Sequence, residues 1–96
     1  MENYHWEKFH DWLIGSIIID WVDAIIRIRL SQKKDSEIEI IDFRNISISR
    51  LLPWVKSQHI NNIKCEKNIQ DNWELEIELQ SGDILKFEGG QIVLNE

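Results

Sequence analysis

The sequence predicts a mainly β protein, either an antiparallel β-sandwich or a strongly curved sheet of seven to eight strands, with one N-terminal helix. Short segments of alternating apolar and polar residues recur through most of the chain, and turn residues separate them. Only the first 14 residues have helical spacing of their apolar side chains. A length of 96 residues suits a single domain, residues 1-96.

A helix is predicted over residues 3–14. Trp6, Phe9 and Leu13 follow the spacing i, i+3, i+7 and would form its buried stripe. Gly15 stands where a helix-terminating glycine is expected.

The strongest pairing signal lies in residues 24–30 and 37–41, which alternate on either side of a polar turn. One antiparallel register matches both faces of this hairpin. It pairs apolar residues on one face and opposite charges on the other: Ile28 with Ile38, Ile26 with Ile40, Arg29 with Glu37 and Arg27 with Glu39.

A second hairpin is predicted over residues 74–88, where glutamates alternate with aliphatic residues before a Ser-Gly-Asp turn. An odd-length loop centred on Gly82 keeps the apolar residues on one face, with Gly82 or Asp83 in the left-handed conformation. This register pairs Ile77 with Phe87, Leu79 with Leu85, Glu78 with Lys86 and Glu76 with Glu88.

Four further strands are predicted at residues 16–22, 45–50, 60–66 and 91–95. Pro53 makes residues 51–55 an edge strand or a crossing loop. The pair Gly89-Gly90 is expected to separate the last strand from the one before it.

The formal net charge of −6 is confined to the end of the chain. Residues 1–70 hold ten acidic and ten basic side chains, whereas residues 71–96 hold seven acidic and one basic. Nucleic acids and anionic membranes would be repelled by such a surface. A basic protein would be attracted to it, so a protein partner is favoured.

Composition predicts a soluble, cytoplasmic protein. No apolar run approaches the roughly 20 residues of a membrane span, and the N-terminus lacks the basic segment of a secretory signal. Cys65 is the single cysteine, which excludes an internal disulfide and suits a reducing compartment.

No enzyme, cofactor or metal site is predicted. His5 and His10 are five residues apart and would not share a helix face. Cys65 has the pattern of a small buried hydrophobe. A carboxylate pair formed by Glu76 and Glu88 leaves open a small enzyme or ligand-binding barrel as an alternative.

Two of the five tryptophans can be assigned positions. Trp73 shares the inward face of the acidic strand, so it is predicted to join the core. Trp54 follows proline in a loop and is a candidate exposed aromatic anchor, although a structural role is equally open.

The segments "PW" (Pro53-Trp54), Ser57, "IN" (Ile60-Asn61) and "LEIELQSGDILKF" (residues 75–87) resemble a group of small bacterial all-β proteins. Such proteins act as immunity partners of polymorphic toxins, including contact-dependent growth inhibition systems. The resemblance covers about the last half of the chain. It implies a cognate toxin as partner, often a nuclease with a basic active site, whose phosphate sites carboxylates would occupy.

Charge and resemblance together predict an immunity-type protein that neutralises a basic toxin. The partner-binding residues are predicted to be Glu74, Glu76, Glu78, Asp83, Glu88, Trp54 and Asp71. The main alternative is a nucleic-acid mimic that inhibits a DNA- or RNA-binding protein. The sequence leaves the oligomeric state open.

Overall fold

The structure, a computed structural model, describes residues 4–49 and 59–96. Six strands form one antiparallel sheet in the order β1-β2-β3-β6-β5-β4. Their bounds are β1 Leu13–Asp20, β2 Ile25–Ser31, β3 Asp35–Ser49, β4 Ile60–Lys67, β5 Trp73–Leu79 and β6 Ile84–Asn95. A short 3-10 turn, Trp6–Phe9, precedes them.

The described residues contain six strands rather than seven or eight, because two pairs of predicted strands are continuous. The predicted segments 37–41 and 45–50 lie in β3, which is 15 residues long, up to its end at Ser49. The segments 84–88 and 91–95 lie in β6, which is 12 residues long. The predicted edge or loop at residues 51–55 falls outside the described residues.

Both long strands change register at the same level, where β3 has a bulge between Phe43 and Asn45 and Asp42 has a φ of 56°. Gly89 of β6 lies opposite Phe43. A Cβ atom at Gly89 would lie 2.5 Å from Cγ2 of Ile40. Glycine therefore permits a close approach of the two strands here, rather than ending β6.

β3 and β6 are shared by the two halves of the sheet. The first half pairs β1, β2, the start of β3 and the end of β6; the second half pairs β4, β5, the start of β6 and the end of β3. Their apolar faces form a single core cluster, whose largest fully buried members are Phe9, Phe87, Ile26, Ile28, Leu30, Ile38, Ile40, Ile60, Leu75, Ile77 and Ile92.

The two edges of the sheet meet at one point. Leu13 of β1 forms an isolated antiparallel bridge with His59, next to β4. The amide of Ile60 donates to the Trp12 carbonyl, and the amide of Asp11 donates to the Ile60 carbonyl, both at 2.8 Å. The predicted mainly β class is confirmed, with the six described strands in one antiparallel sheet. Within the described residues, no helix is long and apolar enough to cross a membrane.

The predicted N-terminal helix is wrong. Among residues 4–14, Trp6–Phe9 alone is helical, as a four-residue 3-10 turn, and Asp11 follows with a φ of 71°. The backbone of residues 11–12 bonds to the β4 edge, and Leu13 already belongs to β1. Trp6 and Phe9 are nevertheless buried, as predicted, because the aromatic spacing serves the core through a turn.

The predicted β2–β3 register is confirmed at all four pairs, from Ile26 opposite Ile40 to Arg29 opposite Glu37. The outer face carries ion pairs between Arg27 and Glu39 at 3.4 Å and between Arg29 and Glu37 at 3.6 Å. Each such cross-strand pair stabilises the folded state by roughly 0.2–1 kcal/mol.

The predicted faces of the β5–β6 hairpin are confirmed, but its register is wrong by two residues. Ile77 lies opposite Leu85, and Glu76 lies opposite Lys86. The loop is odd, as predicted, because the amide of Leu79 donates to the Asp83 carbonyl at 2.9 Å around residues 80–82. Gly82 has a φ of 93°, the left-handed residue that three-residue hairpin loops require.

Candidate functional site

Three glutamates stand side by side across three neighbouring strands. Glu66 of β4 lies opposite Glu74 of β5, and Glu74 lies opposite Glu88 of β6. Asn45 of β3 lies opposite Glu88 and ends the row. Glu66, Glu74 and Glu88 are called the carboxylate row below.

A second row runs parallel to it, two residues along each strand. Lys64 lies opposite Glu76, Glu76 opposite Lys86, and Lys86 opposite Ser47. The Lys86 ammonium lies 3.7 Å from Oε1 of Glu76. This mixed row, Lys64, Glu76, Lys86 and Ser47, therefore carries its own counter-charges.

Asparagine amides hold two members of the carboxylate row, Glu74 and Glu88, in place. Nδ2 of Asn68 donates to Oε2 of Glu74 at 2.9 Å and to Oε2 of Glu88 at 2.8 Å. Nδ2 of Asn72 donates to the same Glu88 oxygen at 3.1 Å. These donors fix the carboxylates without cancelling their charge.

Asn68 is itself fixed by the β4–β5 turn. Its Oδ1 atom accepts from the amides of Gln70 and Asn72, each at 3.0 Å. Its own amide donates to the Asn72 carbonyl at 2.8 Å. The turn after β4 thus orients the side chain that joins β5 to β6.

The carboxylate row has no cationic partner in the described part of the chain. Among residues 4–49 and 59–96, no lysine, arginine or histidine forms an ion pair with Glu66, Glu74 or Glu88. Like charges directly opposite each other destabilise a sheet slightly. Direct pairing across the sheet therefore opposes the row, and the hydrogen bonds from Asn68 and Asn72 offset part of this repulsion.

The two rows line a shallow depression of about 210 Å³ on the outer face of the sheet. Its walls come from β3, β4, β5 and β6, and both rows contribute to them. Sites for drug-sized molecules usually measure roughly 300–1,000 Å³. The depression is smaller than such sites.

The predicted site residues differ in their surroundings. Glu74 and Glu88 belong to the carboxylate row, whereas Glu76 lies in the mixed row. Glu78 accepts a bond from Nδ2 of Asn61 at 3.1 Å. Asp71 is exposed in the β4–β5 turn, 3.0 Å from the Lys67 ammonium.

Two predicted residues do not contribute to the described surface. Asp83 is only 5% exposed, and its carboxylate accepts a hydrogen bond from the Ser81 hydroxyl at 2.7 Å, so it serves the hairpin loop. Trp54 lies outside the described residues. The expected pair of Glu76 with Glu88 is replaced by the pair of Glu74 with Glu88.

Sequence reasoning missed Glu66, because the charge count began at residue 71 and Glu66 enters the row only through the β4–β5 pairing. It also missed Trp21, which is 81% exposed in the β1–β2 turn, with its ring 6.2 Å from that of Phe43. Asp20 and Asp23 stand on either side of Trp21 and Val22 in the sequence. Two aspartates so close together indicate an exposed turn, and this signal could have identified the tryptophan.

Cys65 is half-buried, on the core face opposite Leu75. Burial, together with the nearby Glu66 charge, raises the pKa of its thiol to about 11. The thiolate is therefore rare near neutral pH, which opposes a nucleophilic role. Within residues 4–49 and 59–96, no group of three or more His, Cys, Asp or Glu side chains could hold a metal ion.

Comparison of the sequence with protein-family models gives no match, and comparison with curated proteins gives none either.

Proposed function

We propose that this protein is an immunity-type inhibitor that binds and neutralises a basic toxin, a nuclease, in the cytoplasm. The carboxylate row is its central contact. The observation that carries the proposal is that three glutamates lie side by side without cationic partners among the described residues, and that asparagine amides orient two of them, Glu74 and Glu88.

Charge supports a basic partner. The chain carries a net charge of −6, and the acidic excess belongs to residues 71–96, which include β5 and β6. Complementary charge accelerates association and excludes partners of the same sign. A toxin that binds nucleic acid presents lysine and arginine side chains, because phosphates must be held there.

The orientation of the row supports tight binding. Asn68 and Asn72 hold Glu74 and Glu88 before any partner arrives. Binding therefore loses less side-chain entropy than it would with mobile carboxylates. Carboxylates and arginine guanidinium groups form short, charge-assisted hydrogen bonds, often two at once.

Inhibition follows because the carboxylate row would occupy the phosphate-binding site of the toxin. Carboxylates that bind the phosphate-holding cations of a nuclease compete directly with its substrate. The mixed row adds selectivity, since Lys64 and Lys86 would lie against unfavourable charge in a uniformly basic surface. The partner is thus expected to place an acceptor opposite these lysines.

Co-expression with the protein encoded by the adjoining gene tests the proposal. The wild-type chain should restore growth and abolish nuclease activity in the lysate, and it should bind the purified toxin. The double variant Glu66→Lys/Glu74→Lys should lose protection. The matched control Glu7→Lys/Asp35→Lys changes the net charge equally at two exposed residues elsewhere and should protect as well as wild type.

Absence of both binding and protection by the wild-type chain would contradict the proposal. A partner that binds nucleic acid but does not harm the cell would instead assign the carboxylate row to the alternative function, nucleic-acid mimicry.

A further inference from the structure

The turn between β1 and β2 exposes a tryptophan. Trp21 is 81% exposed, and its neighbour Val22 is 92% exposed. Tryptophan is highly buried on average in folded proteins. Where it is exposed, it is often one of the few residues that dominate the binding energy of a protein–protein interface. Residues 20–24 are called the Trp21 turn below.

Hydrogen bonds fix the conformation of the Trp21 turn. The amide of Asp23 donates to Oδ1 of Asp20 at 3.1 Å, and the amide of Phe43 donates to the Ala24 carbonyl at 3.0 Å. The Trp21 ring packs against the Phe43 ring in a T-shaped arrangement, with the centroids 6.2 Å apart. The indole is thus held in place while most of its surface faces solvent, so a partner would meet it already ordered.

The face of the Trp21 ring has no cation over it. At two other rings the chain supplies its own: the Lys8 ammonium lies 5.4 Å from the centroid of Phe9, and the Lys67 ammonium lies 5.4 Å from that of Trp73. In the described part of the chain, no lysine or arginine takes this position at Trp21. Because the face of an indole attracts cations, this ring is open to one from another protein.

The two carboxylates beside the ring also lack a cation. Asp20 precedes Trp21, and Asp23 follows it by two residues. Neither aspartate forms an ion pair with any residue that the structure describes. By contrast, Asp71 of the β4–β5 turn lies 3.0 Å from the Lys67 ammonium. The Trp21 turn therefore combines an open aromatic face with negative charge that no described residue neutralises.

We propose that the Trp21 turn is a second contact with the proposed toxin and holds an arginine side chain of that protein. The inference rests on the proposed function, because it takes the occupant to belong to the same basic partner. A planar guanidinium group can stack on the indole and donate hydrogen bonds to a carboxylate, whereas an ammonium group has no plane to stack. Asp23 is exposed and can accept those hydrogen bonds.

The same chemistry disfavours other occupants of the Trp21 turn. A nucleic acid could stack a base on the indole, but its phosphates would approach Asp20 and Asp23 and be repelled. An anionic membrane surface would be repelled for the same reason. A purely apolar recess of a partner would remove the carboxylates from water without giving them a partner, which costs free energy.

The Trp21 turn lies close to the carboxylate row. Its indole packs against Phe43, which lies opposite Gly89 of β6. Gly89 directly follows Glu88, a member of the row. One side of a typical protein–protein interface covers roughly 800 Å². A single basic partner can therefore reach the row and the Trp21 turn together.

Calorimetric titration of the protein encoded by the adjoining gene tests this contact. Trp21→Leu keeps an apolar side chain but removes the aromatic face, so the dissociation constant should rise about tenfold. Trp21→Phe keeps an aromatic face and should raise it less. The free variants should unfold at the same temperature as the wild type, because the indole is largely exposed.

The carboxylates are tested by Asp20→Asn/Asp23→Asn, which should raise the dissociation constant about fivefold or more. The matched control Glu7→Gln/Asp35→Asn removes the same charge at two exposed residues elsewhere and should have a smaller effect. Added to Trp21→Leu, the turn variant should cause little further loss, because both remove contacts with the same arginine.

The outcomes separate this contact from the proposed function. A wild-type chain that does not bind the adjoining protein would overturn the proposed function and the Trp21 contact with it. Binding that Trp21→Leu leaves unchanged would overturn the Trp21 contact alone. A loss with Trp21→Leu that Asp20→Asn/Asp23→Asn does not share would place the indole in an apolar recess and overturn the arginine.

Discussion

Glu74 lies directly opposite Glu88 on the neighbouring strand, and the single amide group of Asn68 donates to both carboxylates, at 2.9 and 2.8 Å. Two like charges are thereby held next to each other by a neutral donor. The arrangement keeps the charge of both groups available to a partner, and it makes Asn68 the residue on which the geometry of the row depends.

Asn68→Asp should destabilise the protein. The variant keeps the acceptor that the turn amides use but removes the NH2 donor and adds a third negative charge. Loss of the donor removes the hydrogen bond to Glu74 and one of the two hydrogen bonds to Glu88, and the new charge lies beside both carboxylates, so the free energy of unfolding should fall by about 1–3 kcal/mol. Urea unfolding measures the change, and part of it should be recovered at high salt.

Gln70→Glu is the control for this variant. Gln70 is exposed in the same turn, and its described hydrogen bond is made by its backbone amide. The control adds one negative charge without removing a side-chain donor to the row. An equal loss of stability in both variants would show that general charge, rather than the Asn68 bridge, is responsible.

Gly89→Ala should destabilise the bend shared by β3 and β6. The added Cβ would lie 2.5 Å from Cγ2 of Ile40 and 3.0 Å from the Ile41 carbonyl oxygen. Forcing atoms into a packed site costs about 1–3 kcal/mol. Gly90→Ala should cost less, since its nearest contact is the Asp42 carboxylate at 3.2 Å, an exposed side chain that can move. Thermal unfolding of both variants distinguishes them, and equal losses would contradict the account of the bend.

Cys65 should react slowly with a thiol reagent such as a water-soluble disulfide. Burial raises the pKa of its thiol from 9.0 to about 11, so near pH 8 the folded protein has about a hundredfold less thiolate than the unfolded chain. The same reagent in urea gives the reference rate. A native rate as fast as the unfolded rate would show that the thiol is not protected.

The same shift has a stability consequence. The folded protein holds the Cys65 thiol proton more tightly than the unfolded chain does. The protonated thiol's contribution to the free energy of unfolding is therefore fully present below pH 9.0 and is lost as the pH rises to about 11. Cys65→Ser should remove this part of the alkaline loss of stability. Unfolding in urea at several alkaline pH values checks it, and an unchanged pH profile would contradict it.

The alternation of residue types was sufficient to predict the strand register where the side chains on both faces of a hairpin restrict the pairing. In the β2–β3 pair, apolar partners and opposite charges select the same register, and the structure has it at Ile28 with Ile38 and Arg27 with Glu39. In the β5–β6 pair, alternation determined the faces only. A shift of two residues keeps each side chain on its face, so the loop conformation decided the register through the Leu79–Asp83 bond.

The carboxylate row could not be predicted for the same reason. It requires the two-residue shift that brings Glu74 to Glu88, and it requires the non-local pairing that brings Glu66 to Glu74. The strand count failed because Gly89 suggested a break, whereas it allows β6 to pass close to Ile40. Aromatic spacing likewise suggested a helix where a turn and edge pairing satisfy the backbone around Trp12.

Calorimetric titration of the proposed toxin partner with the Glu74→Lys and Glu76→Lys variants tests the central claim most directly. Both changes alter the net charge equally on the same strand, but Glu74 lies in the carboxylate row and Glu76 lies between two lysines. Reversing Glu74 should weaken binding by about 2–5 kcal/mol or more, and reversing Glu76 should weaken it much less. Equal losses, or a larger loss at Glu76, would contradict the claim that the carboxylate row is the binding surface.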